Sequence, residues 1–468
     1  MNKPGTKPRL LAVAALAISL SGCATFSPDG GIQAVNDLAQ AKAGAPVKLL
    51  RSDADRRALD ELLAARMTQP LTADDAVQIA LLNNRGLQAS YWELGIAEAD
   101  LVQAGRLSNP AFGYQHKTGG GTTSIERSLT FNLVSLITAP LATRIEGRQL
   151  EATRLQVANE AVTVASNTRR AWVEAVAATQ SLAYARQVAA AADASADLGQ
   201  RMRRAGNWSA FDQAREQAFY AEAMADVVRA TSAATAAREA LTRLMGLWGG
   251  QAAYRLPERL PDLPAAPREM TDVEQVAVRE RLDIRAATLA SQHTAASLGL
   301  SRATRFINVL ELGGVHEREG AERQRGYEIT LEIPLFDWGG ARTVRAEAVY
   351  MQAVNRLAQT AADARSEARE SYQAYRAGYD LARHYRDVVI PVRKQLSDET
   401  LLRYNGMLVS VFELLADARE QRSAVIAYID AQKAFWLAEA GLEAALGGRL
   451  PATTTQDHSH HRAHGVTQ

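Results

Sequence analysis

Val157, Ala161, Val164, Thr168, Ala171, Ala175, Ala178, Leu182, Ala185 and Ala189 recur at spacings of four and three. That period is the seam of a helix packed along a partner for many turns. Most of these residues are alanine, so the partner backbone comes close. The stretch from Leu141 to Ala205 is 65 residues long and, at 1.5 Å per residue, would reach about 98 Å as one continuous helix. A chain built on such a rod is elongated. Its low aromatic content, 6%, agrees with closely packed helices rather than a large globular core.

Lys+Arg 53 against Asp+Glu 52 leaves no basic excess for nucleic acid, which is excluded as a partner. The single cysteine, Cys23, excludes intramolecular disulfides and cysteine-rich metal clusters. His116, His293, His316 and His384 are isolated and lack ligand spacing. No nucleophile with its base, phosphate loop or H-E-x-x-H is present, so the expectation is a non-enzyme with no cofactor.

Cys23 sits behind a targeting signal. Lys3, Lys7 and Arg9 precede an apolar run, Leu10 to Leu20, that is too short to span a bilayer. Leu20-Ser21-Gly22-Cys23 resembles a bacterial lipobox. The resemblance implies cleavage before Cys23 and acylation of its thiol and new N-terminus. Ala24 at the next position resembles the pattern sorted to the outer membrane. Each buried CH₂ of an acyl chain contributes about 0.8 kcal/mol to anchoring. The competing reading is an ordinary signal peptide with an incidental cysteine.

The chain also repeats itself. "AVQIALLNNRGLQAS" (76–90) resembles "VEQVAVRERLDIRAA" (273–287), and "RRAGNWSAFDQAREQ" from Arg203 resembles "RYNGMLVSVFELLADAREQ" from Arg403. Offsets near 200 in the same order imply an internal two-fold repeat. Each half opens with a helix, expected over Ala76 to Leu107 and Val273 to Arg302. Two strands follow. In the first half, "NPAFGYQHK" and "RSLTFNLVS" flank the loop "TGGGTTS"; Leu129, Phe131 and Leu133 share one face, and Ser128, Thr130 and Asn132 the other. In the second, "RFINVLELGGV" and "YEITLEIPLF" flank a polar loop; Ile329, Leu331 and Ile333 alternate with Glu328, Thr330 and Glu332. Such faces suit a barrel with lipid outside and water inside, or any half-buried antiparallel sheet. Four strands do not close a barrel, so a barrel needs several chains.

Each long helical hairpin turns at a glycine. Gly206 permits one reversal, with Ser209 as N-cap of the returning helix. Asn405-Gly406 makes the other, with Ser410 and Glu413 at capping-box spacing. Trp208, Met407 and Leu408 lie at these tips, either stapling their own hairpin or meeting a partner.

The ordered set, seen twice, resembles the TolC-like outer-membrane efflux proteins over roughly residues 70 to 448, and the lipobox resembles their lipid-anchored branch. The resemblance implies a mainly α chain with a membrane β-barrel. Three protomers would give four strands each to one twelve-stranded barrel, continued by a coiled-coil periplasmic tunnel about 100 Å long. It implies a bacterial outer-membrane location and a homotrimer. The partners implied are a periplasmic adaptor protein, an inner-membrane efflux pump and outer-membrane lipid reached through acylated Cys23. The tips bearing Gly206, Trp208, Ser209, Gly406, Met407 and Leu408 would be the adaptor-docking ends. Pro334-Leu335-Phe336 and Gly339-Gly340 match the family's junction between strand and coil; "SLITAPLATR" in the first half does not. Asp398, Glu399, Glu413 and Asp417 lie near the second tip, either as a carboxylate ring favouring cations or as solvated coil residues.

The expected division is a lipoprotein signal peptide (1–22), an N-terminal tether (23–70) with one helix over Ala54 to Arg66, a first repeat (71–250) and a linker (251–270). A second repeat (271–448) and a disordered His-rich tail (449–468) follow. In the tail, His458, His460, His461 and His464 either take up Cu, Zn or Ni transiently or are simply solvated. The function expected is a passive conduit of a tripartite efflux system, with heavy-metal cations such as copper or silver as cargo. Alternatives are a multidrug or metabolite channel of the same fold and a lipid-anchored periplasmic coiled-coil scaffold or adaptor.

Overall fold

The computed structural model describes residues 26–306 and 309–449. The signal peptide with Cys23, and the tail with His458, His460, His461 and His464, lie outside the described residues.

Four helices come first among the described residues: α1 (Ile32–Ala43), α2 (Asp53–Arg66), α3 (Ala73–Asn83) and α4 (Arg85–Ala104). A hairpin of β1 (Ala111–Gly119) and β2 (Thr122–Asn132) leads into α5 (Leu133–Arg204) and α6 (Ala210–Leu244). After a linker come α7 (Val273–Glu280), α8 (Leu282–Ala303), the hairpin of β3 (Leu310–Glu319) and β4 (Glu322–Leu331), then α9 (Gly340–His384), α10 (Ile390–Asn405) and α11 (Val411–Ala445). No helix among the described residues is long and apolar enough to cross a membrane.

The alanine seam does what its spacing requires. Val157, Ala161, Thr168, Ala171, Ala175 and Ala189 are buried, and the other seam residues are half-buried. The helix is longer than expected. At 72 residues, α5 begins at Leu133, because Asn132 Oδ1 accepts from the Ser135 N–H and caps it. Residues 133–135 are therefore helical, and the strand expected over 127–135 ends at Asn132. The expected loop "TGGGTTS" shrinks to a turn at Gly120-Gly121, both at positive φ, and the strands extend through the rest.

The expected helix over 76–107 is broken at Asn84, whose Oδ1 caps α4 while its Nδ2 donates to the Leu244 carbonyl. Gly246 (φ 65°) seats this break: a Cβ there would lie 2.6 Å from the Asn83 carbonyl oxygen. The break between α7 and α8 is seated on a glycine in the same way, Gly447 (φ 86°) pressing on Glu280 and Arg281, but Arg281 gives α8 no side-chain cap. Between α9 and α10 the helix widens into one π turn, Tyr385–Val389. Pro391 follows directly, and a proline ring clashes with the carbonyl one turn earlier in a regular helix.

Of four buried clusters among the described residues, three pack the shorter elements against the long helices. The first joins Val35 and Ala39 of α1, Tyr91 and Leu94 of α4, and Val157 to Ala165 of α5. The 23–70 segment is thus partly built into the body, and α1 is a helix that the sequence pattern did not reveal. The observed α2 begins one residue before the expected Ala54 and ends at Arg66. The second cluster centres on Trp172, Leu241 and Met245. In the third, Phe435 is fully buried between Tyr375 and Tyr379, with ring centroids at 5.5 and 5.8 Å. Gly378 permits this: an added Cβ would sit 3.2 Å from the Phe435 Cα.

Candidate functional site

The four strands form one antiparallel sheet in the order β1-β2-β3-β4. Directly paired residues share a face, so the register sorts every side chain. Phe112 pairs with Leu129, Leu129 with Gly314, and Gly314 with Tyr327; Phe131 pairs with Leu312 and Leu312 with Ile329; Leu310 pairs with Leu331. These apolar residues line one face. Phe112 is 69% exposed and Tyr327 81% exposed, so nothing among the described residues covers it.

The opposite face carries Glu126, Glu311, Glu317, Glu319, Glu322 and Glu328, with Lys117 as its one cation among the strand residues. Every strand glutamate lies on this face and every strand arginine on the other. The glutamate face is the more crowded one at mid-sheet, as the concave side of a curled sheet is. A Cβ on Gly113 would come 2.3 Å from Ser128 Oγ, and one on Gly313 2.5 Å from Thr130 Cγ2. Glycine at such close approaches lets a sheet curl. Along β2, Ser124, Glu126, Ser128 and Thr130 on this side are half-buried, while Arg127, Leu129 and Phe131 are exposed. The outer edges of β1 and β4 have no strand neighbour among the described residues.

The other end of the molecule is the pair of coil tips. Gly206 adopts φ 77°, and Ser209 forms a capping box with Asp212, each N–H bonded to the other side chain at 3.1 Å. Trp208 folds back over Gly199 and stacks tilted on Phe412 at 5.1 Å, bridging the two hairpins. The second tip differs from expectation. Gly406 has φ −80°, and the left-handed position falls on Met407 (φ 58°). A side chain in that conformation is strained. Met407 is 93% and Leu408 78% exposed, so neither staples its own hairpin. Ser410 accepts from the Glu413 N–H at 3.3 Å and caps α11.

Of the tip acids, Asp398 pairs with Lys394 at 2.8 Å and Glu399 with Arg403 at 2.9 Å, each along its own helix. Asp417 Oδ2 is buried without a hydrogen bond. The stronger electrostatic link was not legible locally. Glu216 of α6 is 1% exposed, accepts from Ser195 Oγ of α5 at 2.9 Å, and pairs with Arg419 of α11 at 2.9 Å. Arg422 and Asp226 make a second pair between the same helices. No group of residues suited to a metal ion occurs among the described residues.

No family model and no curated protein matches the chain. Solved structures do. A membrane protein from Pseudomonas aeruginosa aligns with TM-score 0.69 and 21% identity over 80% of this chain and 93% of that one. The Campylobacter jejuni CmeC outer membrane channel aligns with TM-score 0.68 and 16% identity, over 88% and 91%. CusC aligns with TM-score 0.65 and 18% identity, over 81% and 92%. The chain shares the fold of these channel proteins. In this fold the sheet and the long helices are successive parts of one molecule, and the two candidate sites lie at its opposite ends. The glutamates of this face were partly open to sequence reading: Glu328 already alternated with Ile329, but the partners on β2 and β3 depend on register.

Proposed function

We propose that three copies of this chain close a twelve-stranded barrel in the bacterial outer membrane, joining β4 of each protomer to β1 of the next. The observation that carries this is the sheet: its convex face bears an exposed apolar band with the basic residues gathered toward the hairpin turns, its concave face is polar and acidic, and both its edges lack a strand neighbour among the described residues. Lipid outside and water inside satisfy both faces, and closure removes edges that otherwise invite misassembly. The similarly seated breaks at Gly246 and Gly447 support a duplicated protomer, whose coils continue the barrel as a tunnel.

In this reading the protein is a passive conduit of a tripartite efflux system. It supplies a path, and an inner-membrane pump supplies energy. The exposed Met407 and Leu408 dock a periplasmic adaptor, since strain and exposed apolar surface at a tip are stabilised by a partner. Gly206, Trp208, Ser209 and Gly406 set the shape of the docking ends. Acyl chains on Cys23 tie each protomer to the membrane.

The cargo proposed is cationic, with heavy-metal ions such as copper or silver as the leading class. Support comes from the glutamate face that would line the pore, with the carboxylates of Glu413 and Asp417, beside the paired Asp398 and Glu399, adding negative potential at the entrance. His458, His460, His461 and His464 would gather such ions near the protein. The test is reversal potential across a planar bilayer holding the purified protein, with and without Glu126→Gln and Glu317→Gln. Cation preference that falls in the double variant supports the reading; anion preference refutes it. Metal sensitivity after gene deletion then separates metal cargo from drug or metabolite cargo.

A further inference from the structure

We propose that the convex face near the hairpin turns is a binding site for phosphate-bearing lipid headgroups of the outer leaflet. The inference rests on the barrel reading and adds a ligand to its outer wall. Two rows of paired residues carry it. Ile125 faces Arg318, which faces Arg323; Arg127 faces His316, which faces Arg325. His116, beside Ile125, completes the upper row.

Like charges directly opposite one another in a sheet repel. Here Arg318 is set against Arg323, and His316 is held between Arg127 and Arg325. No strand glutamate shares their face, and among the described residues no salt bridge joins any of the four arginines to an acid. Arg127, Arg318, Arg323 and Arg325 are all exposed. A cluster of this kind is stabilised by an anion brought from outside, and guanidinium groups match phosphate geometry.

The cluster's surroundings define the rest of the ligand. Tyr114 and Tyr327 border it on the same face, as the amphipathic rings of a membrane interface do. Arg325 lies two residues beyond Tyr327, about 7 Å farther from the apolar band. Below lie Leu129, Phe131, Leu312 and Ile329, uninterrupted by charge. Arginine continuous with apolar surface fits a ligand whose acyl chains lie on the band and whose phosphate reaches the basic rows. Free phosphate would use only the upper part of this surface, and a nucleic acid none of the lower.

The test uses the full-length protein purified from membranes as conducting trimers and reconstituted in phosphatidylcholine bilayers with a minor fraction of lipid A. Lipid carried through detergent extraction is counted by native mass spectrometry. Wild type should retain lipid A about tenfold over dephosphorylated lipid A. The variant R127Q/R318Q/R323Q/R325Q should lose that preference while its conductance persists. A pair variant, R318Q/R323Q, and the charge-preserving R318K/R323K keep the test open if the fourfold variant does not assemble; the first should lose preference and the second retain most of it. Equal retention of both lipids by conducting wild type overturns the proposal and leaves the barrel reading intact. Displacement of lipid A by inorganic phosphate overturns the lipid assignment in favour of a small-anion site. A chain that forms no conducting trimer overturns both readings.

Discussion

Replacing Arg419 by alanine should loosen the contact between the two hairpins near their tips. Glu216 is 1% exposed and has two hydrogen-bond partners, Ser195 and Arg419, each at 2.9 Å. Arg419→Ala strands a buried carboxylate with one neutral donor. Breaking a buried pair from one side costs about 3–5 kcal/mol, and the lost packing of Arg419 over Phe219, 4.5 Å from the ring centroid, adds about 0.5–1 kcal/mol. Glu216→Gln is the milder change. It leaves Arg419, whose side chain is 26% exposed, able to reach water, and keeps a hydrogen-bonding group at Ser195. That variant should cost about 1–2 kcal/mol. Native-state hydrogen exchange of α6 and α11 measures the local opening free energy directly. Arg419→Ala should raise the open population by about two decades or more, since each 1.4 kcal/mol is tenfold. The double variant should show coupling rather than additivity. If Glu216→Gln opens the tips as much as Arg419→Ala, the pair is not held by the buried charge and the reasoning fails.

Other consequences are independent of that pair. Gly378→Leu should lower thermal stability by about 1–3 kcal/mol or prevent assembly, because its side chain would enter the Phe435 backbone; Gly95→Leu, where nothing lies within 4 Å, is the control. Met407→Gly should stabilise the isolated protein slightly by relieving the left-handed strain at φ 58°, yet weaken capture by the adaptor in a pull-down from cells. Burial, then the neighbouring Glu443 carboxylate, holds the Glu439 carboxyl above its ordinary value, against the opposing effect of Arg268, Arg169 and Arg449. A raised carboxyl pKa penalises the folded state above that pKa, and the penalty vanishes once pH falls below the unfolded value. Glu439→Gln should therefore raise the melting temperature at neutral pH, with the gain shrinking as pH is lowered toward the ordinary glutamate range; a pH-independent gain would contradict this.

What the sequence revealed and concealed follows from the range of each interaction. The alanine seam from Val157 to Ala189, the β-hairpins and the turn at Gly206 are local, and their periods or breakers stand in the primary structure. The start of α5 was missed because Asn132 caps a helix that begins with Leu133-Val134, a pair that extends the strand pattern equally well. The left-handed residue at the second tip fell on Met407 rather than the adjacent glycine, which local propensity alone would not choose. Helix α1 carries a weak pattern of valine and alanine, and it is fixed by the packing of Val35 and Ala39 on distant α4 and α5. Glu216 and Arg419 are 203 residues apart in sequence, and nothing around either marks it as buried or paired. The charge sorting of the sheet lay between these cases. Alternation assigned each strand two faces, but only the register between β2 and β3, which joins the two halves of the chain, shows that all the glutamates coincide.

The central claim is that the free edges of the sheet meet between chains. Replacing Cys23 by serine in a version carrying an ordinary signal peptide leaves no native thiol, and single cysteines can then be placed along β1, from Ala111 to Lys117, and along β4, from Gln324 to Thr330. Oxidative cross-linking in intact cells, read on denaturing gels, is the direct measurement. Barrel closure predicts ladders ending at a covalent trimer, with efficient β1-to-β4 pairs following one antiparallel register. Cross-links confined to dimers, or absent along both edges while the protein is released without detergent, would contradict the barrel and favour a lipid-anchored periplasmic scaffold.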